Sequence, residues 1–252
     1  MIRVVKVGGR PLGDAAWLEG FASVVSKSAG RVVVVHGGGP EVDALSTRLG
    51  IPVERVDGRR VTSEAALDVA AMVLSGRINK RVVAALVGAG VSALGLSGED
   101  GGLLEARVAA NGALGRVGEI VRVNASLLRE LLALGVVPVL SPISRGEDGR
   151  ALNVNADDAA LAIASALGAR ELIFLTDVPA VHDGRSDRSA LDEAEARELL
   201  ASGVVRDGMA VKVRAALGAL GVGVDSVRIG PLECLIDPAA GTRLSRALEG
   251  VA

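Results

Sequence analysis

Ile2-Arg3-Val4-Val5-Lys6-Val7-Gly8-Gly9 and Arg31-Val32-Val33-Val34-Val35-His36-Gly37-Gly38-Gly39-Pro40 decide how this chain folds. Each is a strand-length run of mostly Val and Ile that ends in glycine. Apolar runs with little polar alternation mark strands buried on both faces, as in a parallel sheet. Between them, Trp17, Leu18, Phe21, Val24 and Val25 recur at helical spacing over residues 14–28, with Asp14 placed to cap that helix. Strand, crossover helix and strand make a βαβ unit.

The same alternation continues outward. Pro40 opens a short helix over 41–49, and a long helical pattern covers 63–87, its acidic Glu64 near the positive end of the dipole. A strand at 92–96 follows, then a hairpin of 103–108 and 115–123 around Asn111-Gly112. Residues 124–134 read as a helix and 136–141 as a strand. Beyond a polar turn at 146–149, helices are expected at 155–167, 191–200 and 209–220, and strands at 171–176 and 225–229. A polar stretch, 182–189, separates strand from helix. The fold class expected is α/β: a three-layer αβα sandwich with a mostly parallel central sheet plus a β-hairpin. A lobe boundary is expected within 141–153.

Composition narrows the function. Of the 252 residues, 50% are hydrophobic and 23% charged, with a formal net charge of −2. The aromatic residues are Trp17, Phe21 and Phe174, with no Tyr, so stacking platforms for single-stranded nucleic acid are missing. No basic stripe is present, so no nucleic-acid partner is expected. The single cysteine, Cys234, can form neither an internal disulfide nor a cysteine-rich zinc site. Residues 1–9 read as a strand and not as a signal peptide, and the apolar runs are too short for a membrane span. A cytoplasmic enzyme with no membrane partner is expected.

The chemistry should lie beyond the carboxyl ends of the strands, where open α/β sheets bind ligands. The glycine clusters at 8–9 and 37–39 fall there. Glycine lets backbone amides approach an anion closely, and a following helix N-terminus favours it further. Lys6, inside an apolar strand, either turns to an exposed face or meets phosphate at the strand end. The second reading is favoured, because a cation there has an electrostatic use. Asn155 suits an N-cap with Asp157 and Asp158 in the first turn, which leaves Asn153 unexplained. Gly88-Ala89-Gly90-Val91-Ser92-Ala93 matches a dinucleotide fingerprint, but in the order helix then strand, so it is a chance match. No Walker-type phosphate loop occurs.

Taken in order, Lys6-Val7-Gly8-Gly9, His36-Gly37-Gly38-Gly39-Pro40, Asp57-Gly58-Arg59-Arg60-Val61-Thr62, Asn79-Lys80, Gly95-Leu96-Ser97-Gly98, Asp100-Gly101, Asn153-Val154-Asn155-Ala156-Asp157, Leu175-Thr176-Asp177-Val178, Asp207-Gly208-Met209 with Lys212, and Gly241-Thr242-Arg243 resemble the amino acid kinase family over nearly the whole chain. The resemblance is strongest to members that use ATP to phosphorylate the side-chain carboxylate of N-acetyl-L-glutamate in arginine biosynthesis. It implies catalytic roles for Lys6 and Lys212, which would flank the transferred phosphoryl group, and for Asp157, which would hold both lysines. It implies substrate contacts from Gly38, Gly39, Arg60 and Asn153. Gly8 and Gly9, the loop of Asp177, Val178, Pro179, Ala180, Val181 and His182, and Val204, Val205, Arg206, Gly208 and Met209 would bind the nucleotide. Mg²⁺ would be bound through the ATP phosphates.

Residues 1–145 would then form the acyl-amino-acid-binding lobe and 146–252 the nucleotide-binding lobe of one kinase domain. A homodimer is expected, insensitive to arginine, because the N-terminal helix of the family's arginine-inhibited hexamers does not precede the first strand. Two features depart from the family: Ala180 stands where a Gly is frequent, and Arg59 replaces an apolar residue beside Arg60. Sister activities on N-succinylglutamate or on an acylated or carrier-linked aminoadipate remain as alternatives, as does a non-catalytic amino-acid or ATP sensor.

Overall fold

The computed structural model describes residues 1–8, 10–28, 31–56 and 59–246. In chain order the elements are β1 (Ile2–Val7), α1 (Ala15–Lys27), β2 (Arg31–His36), α2 (Gly39–Arg48), β3 (Arg55–Val56), β4 (Arg59–Arg60), α3 (Glu64–Ala71), a π-helix (Met72–Ile78) and α4 (Asn79–Gly88). There follow β5 (Ala93–Ser97), β6 (Leu104–Val108), β7 (Val117–Val123), α5 (Ala125–Ala133), β8 (Val137–Ser141), β9 (Ile143–Gly146), β10 (Ala151–Val154) and α6 (Ala156–Leu167). The chain closes with β11 (Glu171–Leu175), β12 (Val181–His182), β13 (Asp187–Arg188), β14 (Ala190–Leu191), α7 (Glu193–Ala201), α8 (Asp207–Gly221), β15 (Ser226–Gly230) and β16 (Thr242–Ser245).

One eight-stranded sheet runs β14-β16-β15-β11-β1-β2-β8-β5, parallel throughout except for the β15/β16 pair. The two Val-rich runs are its centre: β1 pairs with β2 on one side and with β11 on the other. Period-two alternation then assigns each side chain to a helix layer. Val4, Val33 and Val35 join the core beneath α5, α6, α7 and α8. Val5, Val7, Val32 and Val34 join the core beneath α1, α2, α3, the π-helix and α4. By the same alternation Lys6 faces the α6 layer and His36 faces the α4 layer. Phe21 and Phe174, buried in opposite layers, supply the bulk that the scarcity of aromatics leaves to few residues.

Three features depart from the sequence reading. The pattern over 63–87 is two α-helices joined by a π-helix. The turn at 146–149 is the tip of an antiparallel β9/β10 pair, and these strands close a small barrel with the expected β6/β7 hairpin. Near the chain end β16 runs antiparallel to β15, with Thr242 and Leu244 turned inward. Short strands of this kind are held by pairing with distant partners, so their own composition signals them weakly.

Candidate active site

Lys6 sits one residue before the end of β1 and is 7% exposed. Its Nζ meets Asp157 Oδ1 at 2.7 Å, and Lys212 Nζ lies 3.9 Å from Asp157 Oδ2. Three elements therefore meet: the central strand supplies Lys6, the first turn of α6 supplies Asp157, and α8 supplies Lys212. Burial pushes the Asp157 carboxyl up, but the two ammonium groups outweigh it and hold the group below its ordinary value. The Lys212 ammonium is pushed down by desolvation and by Lys6, against the pull of Asp157 and Asp177. Asn155 caps α6 as expected, its Oδ1 accepting from the amides of Asp157 at 2.7 Å and Asp158 at 3.4 Å. A cap of this kind stabilises by about 1 kcal/mol and fixes the first turn that aims Asp157 at the lysines.

A cavity of about 220 Å³ opens beside Lys6 and Asp157. Gly8, Gly38, Gly39, Arg60 and Asn153 line it. The Gly38–Gly39 turn is also the start of α2, whose N-terminus carries no side-chain cap. Uncapped amides at a helix N-terminus attract an anion. Four cationic side chains line the cavity, Lys6, Arg55, Arg59 and Arg60, against the two carboxylates of Asp157 and Asp158. The balance favours an anionic occupant.

Arg60 is the better held of the two adjacent arginines. Its Nη2 donates to the Gly39 carbonyl at 3.1 Å, and its Nη1 pairs with Asp43 Oδ1. Asp43 Oδ2 also accepts from Arg55 Nη2 at 2.6 Å. Asp43 lies one turn beyond Gly39 on α2, so the helix that begins at the glycine turn also anchors both guanidinium groups. Arg59 lies 3.4 Å from Glu119 and 3.7 Å from Asp158. Asn153 Nδ2 donates to Thr62 Oγ1 at 3.2 Å, and Thr62 Oγ1 donates to the Arg60 carbonyl at 2.9 Å. Asp43 and Thr62 were given no role from sequence; the four-residue spacing of Gly39 and Asp43 on a helix was the available signal for the first.

The expected nucleotide residues fall into two groups. Val181 and Val205 bury their side chains in the core, so only their backbone can face a ligand. Asp177, Val178, Pro179, His182, Val204, Arg206 and Gly208 are exposed, with Ala180 and Met209 half-buried. Asp177 acts electrostatically on Lys212, which ties this loop to the lysine pair. Ala180 carries no positive φ and so needs no glycine. Gly9, with Asp57 and Gly58 of the arginine motif, lies outside the described residues.

A sequence model described as the amino acid kinase family matches residues 1–231. The chain belongs to the amino acid kinase family. Acetylglutamate kinase from Chloroflexus aurantiacus (strain ATCC 29366 / DSM 635 / J-10-fl) is 49% identical over 248 residues, covering 97% of this chain and 96% of the relative. Acetylglutamate kinase from Roseiflexus sp. (strain RS-1) is 45% identical over 236 residues, covering 93% and 90%. Among solved structures, N-acetylglutamate synthase from Neisseria gonorrhoeae, complexed with coenzyme A and N-acetyl-glutamate, superposes with a TM-score of 0.85. It is 25% identical, and the match covers 97% of this chain and 59% of that one. Carbamate kinase from Giardia lamblia bound to AMP-PNP shares the fold, with a TM-score of 0.76 at 18% identity and coverage of 97% and 98%.

In this amino acid kinase the lysine–aspartate cluster has a consequence for stability. The Asp157 pKa is depressed in the folded state, so its ionised form stabilises the fold fully above the unfolded value of 3.8. That contribution is lost as pH falls below 3.8 through the folded value. Urea unfolding of the parent chain should therefore lose more stability between pH 5 and about pH 3 than Asp157→Asn does. Parallel curves for the two proteins would show that the pair contributes nothing through this titration.

Proposed function

We propose that this kinase transfers the γ-phosphoryl group of ATP to the side-chain carboxylate of N-acetyl-L-glutamate, forming N-acetyl-L-glutamyl 5-phosphate in arginine biosynthesis. The observation that carries the reading is the buried Lys6–Asp157–Lys212 cluster beside an arginine-lined cavity. The similarity to acetylglutamate kinases over nearly the full chain supports the choice of acceptor.

A carboxylate has a reference pKa near ~4.3, so the acceptor is already ionised at neutral pH and needs no general base. The demands that remain are in-line positioning and charge stabilisation. Lys6 and Lys212 neutralise charge developing on the transferred group, and Asp157 keeps the two ammonium groups together against their mutual repulsion. Gly8, Gly9, Gly38 and Gly39 present backbone amides to the phosphoryl oxygens. Arg60 grips the α-carboxylate of the acceptor, its remaining N–H groups directed by Asp43 and Gly39. Asn153 contacts the acylamino group.

Residues 177–182 and 204–206, with Gly208 and Met209, hold the nucleotide, and the uncapped N-terminus of α8 offers amides to its phosphates. Mg²⁺ would be held through the ATP phosphates. When bound, Mg²⁺ neutralises phosphate charge. In this reading residues 1–145 serve mainly the acceptor and 146–252 mainly the nucleotide, with Asn153 reaching the acceptor from the second part and Gly8 and Gly9 reaching the phosphates from the first. The chain works in the cytoplasm as a homodimer. Met72, Val87 and Leu94, exposed on the π-helix, α4 and the edge strand β5, support an interface at that edge.

The test is ADP release with Mg-ATP and, in parallel, N-acetyl-L-glutamate, N-succinyl-L-glutamate, N-acetyl-L-α-aminoadipate and free glutamate. Hydroxylamine should trap the acyl phosphate. Turnover is expected with N-acetyl-L-glutamate well above the others. Turnover only with the aminoadipate or succinyl compound would move the assignment to a sister kinase. ATP binding with no ADP release on any acceptor would sink the catalytic reading.

A further inference from the structure

Asn79 opens α4 directly after the π-helix, is fully buried, and takes no part in the chemistry above. Its Nδ2 lies 2.9 Å from the Val139 carbonyl, 3.3 Å from the Leu96 carbonyl and 3.1 Å from His36 Nε2. Two carbonyls facing one atom identify that atom as the NH₂ group, whose two N–H donors face three acceptors, in the middle of β8 and near the ends of β5 and β2. Asn79 Oδ1 in turn accepts from Lys80 Nζ at 3.3 Å, and Lys80 Nζ also donates to the Gly95 carbonyl at 3.1 Å. A Cβ at Gly95 would collide with Asn79 Oδ1 and lie 2.9 Å from Val83 Cγ2. The Asn79-Lys80 and Gly95-Leu96 segments, separate in sequence, are therefore one device.

The device acts on the glycine turn through His36. With Nε2 facing an NH₂ group, Nε2 must accept, so the proton of the neutral ring sits on Nδ1. Burial holds the ring neutral, its pKa pushed down to about 4, with the Gly37 hydrogen bond opposing and nearby Lys6 adding to the fall. Nδ1–H then donates to the Gly37 carbonyl at 3.0 Å. The Gly37 amide is held from the other side by the Val7 carbonyl at 2.8 Å. A planar trans peptide places the Gly38 N–H opposite the Gly37 carbonyl, hence away from His36. Among the described residues that N–H has no protein acceptor. The π-helix adds the steric part: a Cβ at Gly38 would collide with Ile78 Cδ1 and lie 2.9 Å from Leu74 Cδ2. π-helical turns recur at functional sites.

We propose that Asn79 is a positioning residue for phosphoryl transfer, acting through the Nδ1–H tautomer of His36 and the Gly37 carbonyl to aim the Gly38 amide at the anion in the cavity. The proposal rests on the functional reading above for the identity of that anion.

The test combines NMR of the parent chain with one variant. Nitrogen-15 correlation of the imidazoles, only two in the chain, should show His36 as a single neutral Nδ1–H tautomer. Titration with inorganic phosphate should shift the Gly38 amide in the parent chain and much less in Asn79→Ala. With Mg-ATP and N-acetyl-L-glutamate, Asn79→Ala should lose about tenfold or more in kcat, with both KM values within about twofold. A purely structural residue would lower Tm and leave that split unmoved. An Nε2–H tautomer would overturn the proposal, as would a folded Asn79→Ala with normal kcat. If the variant does not fold, the tautomer and the phosphate response of the parent chain decide. A parent chain inert toward every acceptor counts against the functional reading, whereas the tautomer and the Gly38 shift are read without turnover.

Discussion

Lys6→Ala and Asp157→Asn should each lower kcat on the order of 10²–10³-fold, the loss that follows removal of a preorganised electrostatic stabiliser. The two variants fail for different reasons. Lys6→Ala removes one of the two cations and leaves Asp157, buried and negative, paired only with Lys212 at 3.9 Å. Asp157→Asn keeps the shape but leaves Lys6 and Lys212 facing one another without the intervening charge. The Lys212 ammonium, already pushed down by desolvation and Lys6, then loses the partner that raises it. Breaking a buried pair from one side also destabilises by about 3–5 kcal/mol. Steady-state kinetics and thermal unfolding on the same samples separate the two effects. Near-normal kcat in a folded Lys6→Ala would remove this cluster from the reaction.

Arg60→Ala should raise KM for N-acetyl-L-glutamate roughly 10²-fold, with kcat changed less than tenfold. An α-carboxylate does not change during phosphoryl transfer, so its binding is the same in the ground and transition states and appears in KM. Losing a hydrogen-bonded charge partner costs about 2–3 kcal/mol at the low end, which gives that factor. Arg60→Lys should fare little better. An ammonium cannot reach Asp43 and the Gly39 carbonyl together and still offer planar donors to a carboxylate. The KM for ATP should stay constant, because the residues proposed to hold the nucleotide lie elsewhere in the chain. A KM for the acceptor within twofold of the parent value would assign the carboxylate to another group, and Arg59, which lines the same cavity, would be the next residue to replace.

The parts of the site that were legible in sequence are those whose signal is local. Lys6 stood out as a charge in an apolar strand, the glycine turns as breaks at strand ends, and Asn155 as a cap before an alanine-rich helix. Asp43 was passed over because an acid on a short amphipathic helix looks like solvated surface until Arg55 and Arg60 are seen to close on it. Asn79 and His36 were visible as residues but not as partners, since 43 positions separate them and only the packing of α4 on β5 and β8, next to β2 in the sheet, brings them together.

The π-helix shows the limit of periodicity. Leu74, Ile78, Val82 and Leu86 recur every four residues, a spacing compatible with both windings, so hydrophobic pattern could announce a long helix but not its change of pitch. By itself the sequence determined the α/β class, the central strands, the order of the crossovers and the glycine-rich strand ends, because burial on both faces and conformational freedom are properties of contiguous residues. The resemblance implied that Asp157 holds Lys6 and Lys212, but only the tertiary structure decided the distances within that cluster, that β9 and β10 close a barrel with β6 and β7, and that Asn79 reaches β8, β5 and β2. Those outcomes depend on sheet order and helix packing across long separations, and no local pattern encodes which distant partner satisfies a buried polar group.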